Sequence, residues 1–231
     1  MIMKKNTFLL ICCASLLIAC NSNAQQTNLS VPEFEKAIAQ KNIQLLDVRT
    51  PGEYQSGHLS KAFLADWNNE KEFQLRATAL DKSKPVYTYC LSGARSSAAT
   101  DWLRQNGFTA YTLTGGISAW KRADKPVEQA AAVKQITMRE YLAQITIDKT
   151  VLVDFGAVWC PPCKKMAPVL DSLVAMHADK FVLIKIDGGG QTDICKELNV
   201  EGFPTFIFYK KGKEIWRKRG LTEMKEFVRY F

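Results

Sequence analysis

The chain has 231 residues, 47% of them apolar and 23% charged, with a formal net charge of +8. This is globular composition, with length for one large domain or two small cores. The positive excess is spread along the chain, with its one dense cluster at Lys210–Arg219, and aromatic residues are not interleaved with basic runs. A nucleic-acid groove is therefore excluded in favour of a solvated basic surface.

The N-terminus reads as an export segment. Lys4 and Lys5 precede the apolar run Phe8–Ala19, which is too short to span a bilayer core of about 30 Å. The run ends in Leu17-Ile-Ala-Cys20, which resembles the lipobox of bacterial lipoproteins. The resemblance implies removal of residues 1–19, lipidation of Cys20, and a protein anchored in the bilayer of the cell envelope, facing the periplasm. The alternative is an ordinary signal cut after Ala24. Residues 20–28 are a polar tether. With Cys12 and Cys13 gone and Cys20 a lipid site, Cys90, Cys160, Cys163 and Cys195 remain. A body of this size does not need disulfide staples, and a loop of two intervening residues gains little from one. Redox chemistry is the better reading of the close pair.

Two capping boxes, Ser30-Val-Pro-Glu33 and Thr137-Met-Arg-Glu140, each open a helix and head two domains at 29–125 and 136–231. Between them, 126–135 is polar and alanine-rich and reads as a linker. In the first domain, 44–48, 86–89 and 110–113 read as strands; 33–40, 97–106 and 116–121 read as helices. In the second, strands fall at 151–155, 181–186, 205–209 and 214–219, and helices at 163–177, 193–198 and 222–230. Alternation of this kind predicts two α/β domains, a parallel sheet followed by a mixed one. Their active sites lie where strands end and helices begin.

Cys90 sits at such a point. The loop Leu91-Ser92-Gly93-Ala94-Arg95 contains no proline, so all its backbone donors are present, and Gly93 permits a tight curl. The following helix adds its positive end, so Cys90 should be a stabilised thiolate. Arg95 offers a fixed charge to an anionic substrate. The stretches Asp47-Val-Arg-Thr-Pro-Gly-Glu-Tyr54, Gly57-His58-Leu59, Cys90-Leu-Ser-Gly-Ala-Arg-Ser96 and Gly115-Gly-Ile-Ser-Ala-Trp120 resemble the rhodanese family in order and spacing. That resemblance implies sulfur transfer through a persulfide on Cys90. The loop Leu91–Ser96 would bind a sulfane donor of the thiosulfate or polysulfide class, and Asp47 and Arg49 would support it as a buried pair. Related phosphatases use a loop one residue longer. Ser60-Lys61 stands where the family often has a proline.

The second site is Trp159-Cys160-Pro-Pro-Cys163, which opens a helix after a strand that contains Asp154. The first thiol of such a pair should be exposed and helped toward thiolate by the helix dipole, and the second should be covered and resolve a mixed disulfide. Zinc would need two more ligands, for which Cys195 and His177 are only scattered candidates. With Gly202-Phe-Pro-Thr205 and Lys211-Gly212, the stretch resembles thioredoxin. The resemblance implies Cys160 as nucleophile, Cys163 as resolving thiol, and Trp159, Phe203 and a cis Pro204 at the substrate face. Asp154 would be the proton shuttle, with Lys185 as its partner. It implies no metal and no cofactor. The partners would be protein disulfides or a membrane thiol reductant. Two departures are Pro161-Pro162 between the cysteines and a loop of unassigned purpose, Gly188-Gly-Gly190. Cys195 reads as a passive thiol. A rival reading is a general disulfide oxidoreductase whose first domain is a docking module.

Overall fold

The computed structural model describes residues 27–129, 133–145 and 148–231. The export segment and Cys20 lie outside the described residues. The first domain runs β1 (Asn28–Leu29), α1 (Val31–Ile38), β2 (Gln44–Asp47), α2 (Pro51–Gln55), β3 (Phe63–Leu64), α3 (Glu70–Ala77), β4 (Val86–Tyr89), α4 (Ala94–Gln105), β5 (Ala110–Leu113) and α5 (Gly116–Arg122). Its sheet has the order β1-β5-β4-β2-β3, with every pairing parallel. Helices cover both faces, so its strands bury both sides, as parallel strands must. Leu46, Val48, Val86 and Ala110 point into one core. Leu45, Tyr87, Tyr89 and Leu113 point into the other.

The second domain runs α6 (Met138–Leu142), β6 (Thr150–Gly156), α7 (Pro161–His177), β7 (Phe181–Asp187), α8 (Thr192–Glu197), β8 (Thr205–Lys210), β9 (Lys213–Arg219) and α9 (Met224–Phe227). Its sheet has the order β7-β6-β8-β9, with β6 and β7 parallel and the last two strands antiparallel. Alternate residues again split between two cores: Val151, Val153, Phe155 and Ile207 on one face, Leu152, Phe206 and Phe208 on the other. The two α/β domains expected from the sequence are both present.

Four elements of the first domain escaped the sequence reading: β1, α2, β3 and α3. Two of these strands have two residues each, too short to show a period. Helix α3 carries Glu72 and Arg76 on its buried face, which breaks the apolar stripe that would mark it. Helices α4 and α7 begin at Ala94 and Pro161, a few residues before their expected starts.

The stretch read as a linker is pinned at both ends. The Trp120 indole donates to the Pro126 carbonyl, and His58 and Glu128 exchange two backbone hydrogen bonds. On the far side Gln135 donates to the Gly190 carbonyl, and the Ile136 N–H donates to Gln191.

Beneath the Cys90 loop, the Arg49 guanidinium grips Asp47 at 2.6–3.0 Å and donates to the Gly57 carbonyl at 2.8 Å. Both residues are buried. Asp47→Ala leaves that guanidinium buried without its counter-charge, which costs about 3–5 kcal/mol. Urea unfolding of the full chain should show the first domain's unfolding free energy lowered by that amount, with its midpoint at lower urea. An unmoved midpoint would show that the pair contributes nothing.

Candidate active site

Two sites lie at C-terminal strand ends. In the first, β4 delivers Cys90 into the loop that opens α4. Gly93 has φ +113°, a backbone conformation that favours glycine, and its N–H points at the Cys90 sulfur at 3.0 Å. Burial raises the Cys90 pKa. The Ser96 N–H and hydroxyl and the Gly93 and Ser92 N–H groups oppose it, and the net shift is downward. A thiol that is 1% exposed is thus held ready to ionise by its own loop.

The back of this loop explains the double glycine at 115–116. The Cys90 carbonyl accepts from the Ile117 N–H and the Leu91 carbonyl from the Ser118 N–H, at 2.8 and 3.0 Å. A Cβ on Gly116 would lie 2.5 Å from the Cys90 oxygen. Only a glycine lets α5 start this close to the loop.

Arg95 is not free for an anion, which differs from the sequence expectation. Its guanidinium makes two bonds to Glu53, at 2.8 and 2.7 Å. The Arg95 guanidinium holds the Glu53 carboxyl down at about 2, against opposing burial and with help from Thr50. An anionic substrate would compete with Glu53 for the fork. Glu53 was missed as a site residue. Its signal was the capping box Thr50-Pro-Gly-Glu53, which fixes it at the third position of α2.

In the second site, Cys160 and Cys163 form a disulfide. Cys160 is the N-cap of α7 and its sulfur faces the Cys163 N–H at 3.2 Å. Pro161 and Pro162 occupy the first helical positions, where an N–H would have no intrahelical acceptor. The two prolines therefore cost the helix nothing. The Phe203–Pro204 peptide is cis, and the Trp159 and Phe203 rings meet edge to face at 5.7 Å.

The triple glycine has a purpose here. A Cβ on Gly188 would lie 2.2 Å from the Phe203 ring, and one on Gly189 would lie 2.9 Å from the Trp159 indole. The loop can press flat on both rings only because it has no side chains. Over Gly156, the point a Cβ would occupy lies 3.6 Å from the Cys163 sulfur and 3.8 Å from Asp154 Oδ1. The missing side chain leaves the acid and the resolving thiol bordering one space. Burial pushes Asp154 up to about 6, with Lys185 pulling weakly the other way. Lys185 makes its ion pair with Asp171, at 3.8 Å, instead of with Asp154. Cys195 is buried, its thiol pushed by burial to about 11, as suits a passive group.

One expectation is reversed. Cys160, read as the exposed thiol, is 0% exposed, whereas Cys163 is half-buried. Cys160 packs into the second domain's own core, and the first domain is seated on the residue before it. The Leu64 N–H donates to the Trp159 carbonyl at 2.9 Å. Tyr54 packs on the Trp159 ring at 5.8 Å, and the Arg76 guanidinium lies 4.8 Å from its centroid. Tyr54, Leu64, Glu72 and Arg76 were not legible as site residues, because no local pattern marks a contact between two domains. Among the described residues, no group of three or more His, Cys, Asp or Glu side chains could hold a metal, and no helix is long and apolar enough to cross a membrane.

Comparison with known proteins matches two families in tandem. Residues 30–123 match the Rhodanese-like domain family and residues 132–231 match the Thioredoxin family. The chain is 30% identical over 123 residues to Thioredoxin X, chloroplastic, of Arabidopsis thaliana, covering 51% of this chain and 68% of that protein. It is 38% identical over 81 residues to Thioredoxin Y, chloroplastic, of Oryza sativa subsp. japonica, covering 35% of this chain and 48% of the relative. A solved rhodanese-like domain protein from Staphylococcus aureus is 26% identical, with a TM-score of 0.40, covering 46% of this chain and all (100%) of that one.

The acid beside Cys163 gives a pH prediction. As a proton acceptor for the resolving thiol, Asp154 acts when ionised, above about pH 6. Single-turnover resolution at Cys163 should therefore fall as pH drops through 6, and Asp154→Asn should remove that limb. A raised acid pKa favours folding below its unfolded value, and the advantage is lost as pH rises through the folded value. Asp154→Asn should accordingly raise the unfolding midpoint at pH 7. A variant that keeps the parent's pH limb would remove Asp154 from the proton path.

Proposed function

Because the chain belongs to the thioredoxin family through its second domain and carries a rhodanese-like domain ahead of it, we propose that it is a thiol enzyme in which Cys90 accepts a sulfane sulfur and the Cys160/Cys163 dithiol discharges it. The second domain is a thioredoxin-like oxidoreductase domain. The observation that carries the reading is the Cys90 loop, which aims the N–H groups of Ser92, Gly93 and Ser96 at one buried sulfur. A ring of donors around a thiolate also suits a persulfide anion, whose terminal sulfur carries the charge outward.

The Cys90 thiolate attacks the sulfane sulfur of thiosulfate, the S–S bond breaks, and sulfite leaves with the electron pair. The Cys160 thiolate then attacks the terminal sulfur and releases the Cys90 thiolate. Cys163, its proton taken by Asp154, attacks the inner sulfur of Cys160 and expels sulfide. The dithiol is oxidised by two electrons and the sulfane sulfur is reduced by two. An external thiol reductant must then restore the pair, and its nature belongs to the envelope if residues 1–19 act as an export segment.

A second reading keeps only disulfide exchange and makes the first domain a docking module. The close seating of Trp159 against Tyr54 and Arg76 favours it. One experiment separates the two. Thiosulfate is incubated with the full chain carrying Cys160→Ser, and the intact mass is read. A single added sulfur, absent from the additional Cys90→Ser variant, supports transfer. The parent with its pair pre-reduced should lose that sulfur as sulfide and gain a disulfide. Cys90 that never takes up sulfur leaves the docking reading.

The lipobox-like Leu17–Cys20 supports location in the envelope, with the chain tethered through Cys20. Mass spectrometry of the protein expressed in a bacterial host should find Cys20 as the lipidated first residue. Unmodified Cys20, or cleavage after Ala24, would remove the anchor.

A further inference from the structure

We propose that the first domain is a reversible cover on the dithiol site, so that the Cys160–Cys163 disulfide exchanges with partners only when the two domains part. This goes beyond sulfur transfer and holds whether or not Cys90 carries sulfur, since it concerns access to the second site alone.

The contact is made by the face on which the dithiol chemistry occurs. Cys160 is fully buried, and the carbonyl just before it is taken by the Leu64 N–H. That donor is available because β3 is an edge strand, paired only to β2. Its outward N–H would otherwise face solvent. Arg76 holds the other side of the same residue, donating to the Leu64 carbonyl at 2.9 Å while its guanidinium lies over Trp159. At the rim, Gln55 donates to the Gly189 carbonyl at 3.0 Å. The methyls of Leu75 approach Gly220, where a Cβ would lie 3.4 Å from the nearer one. The surfaces that flank the disulfide, namely Trp159, the 188–190 loop and Gly202, are each met by the first domain. With Cys160 itself fully buried, these contacts occupy the face that a partner disulfide would have to reach.

A second observation indicates that the cover is made to come off. Among the described residues, Glu72 Oε2 is the buried side-chain oxygen or nitrogen without a hydrogen-bond partner. It faces the second domain, 2.7 Å from where a Cβ on Gly202 would lie. Its other oxygen is bound to Arg76. Closing strips water from Oε2 and supplies no donor, so the closed state carries a penalty that opening relieves. A permanent domain interface would be expected to satisfy or replace such an oxygen.

If only the open fraction reacts, the exchange rate is scaled by that fraction. Loosening the cover should then speed exchange without touching either thiol. Leu75→Asp places a charge on an α3 surface position against Gly220. Gln55→Ala removes one rim hydrogen bond from an exposed side chain. Reduction of the disulfide by dithiothreitol is followed in the full chain by maleimide trapping and intact mass. We expect Leu75→Asp to react about fivefold faster or more, and Gln55→Ala about twofold faster. Small-angle scattering should show a larger radius in the faster variant. Thermal unfolding of each variant checks that both domains remain folded, and Gln55→Ala carries the test should Leu75→Asp unfold. Reduction of the folded variants at the parent's rate overturns the cover. A faster rate at unchanged radius also overturns it. Neither result bears on whether Cys90 accepts sulfur.

Discussion

The indole of Trp159 is where the two halves of the molecule become one. Its ring packs against the first domain's core while its chain position immediately precedes Cys160. Tyr54 and Arg76 approach it from the first domain, Phe203 and Gly189 from the second. An aromatic of this size contributes through area and through its quadrupole, and a guanidinium over an indole face is the stronger kind of cation–π contact. Gly189 of the triple-glycine loop lies flat against the same ring, where a Cβ would come within 2.9 Å of it. A smaller residue at 159 would leave a void at the seam.

The two sites solve one electrostatic problem in different ways. Both place a cysteine sulfur inside protein, where burial favours the neutral thiol. At Cys90 the donors of a proline-free loop outweigh burial, so the shift is downward. At the dithiol, Pro161 and Pro162 remove donors from the first helical turn, leaving the Cys163 N–H facing the Cys160 sulfur. The acid is then placed behind the second thiol, across the space over Gly156. The first site gathers donors on one sulfur, and the second sets a buried acid beside the second thiol.

Both sites could be read from the chain because their chemistry is local. Cys90–Ser96 and Trp159–Cys163 each follow a strand and open a helix, and backbone geometry alone brings their groups together. The buried pair Asp47 and Arg49 is implied only by the resemblance to the rhodanese family. What stayed hidden is what depends on distant pairing. Arg95 reads as a free cation until α2 brings Glu53 to it across 42 positions. Lys185 sits opposite Asp154 in the strand register yet reaches Asp171. The contacts that Leu64 and Arg76 make to Trp159 are hidden too, since they come from a strand of two residues and a helix whose buried face is charged. Periodicity carries no information about contacts of this kind.

The difference in how the two cysteines are buried bears on what each can meet. Cys90 lies under its own loop, whose Leu91, Ser92 and Ala94 are exposed and whose helix α4 fixes it in place. The Cys90 sulfur is thus buried by its own domain's loop and core. Cys160 is buried next to Trp159, at a seam between domains that leaves a carboxylate oxygen unsatisfied. Rigid bodies can part there with both cores intact, because each core is assembled from its own domain's strands. Parting exposes a whole face, wide enough for a protein disulfide.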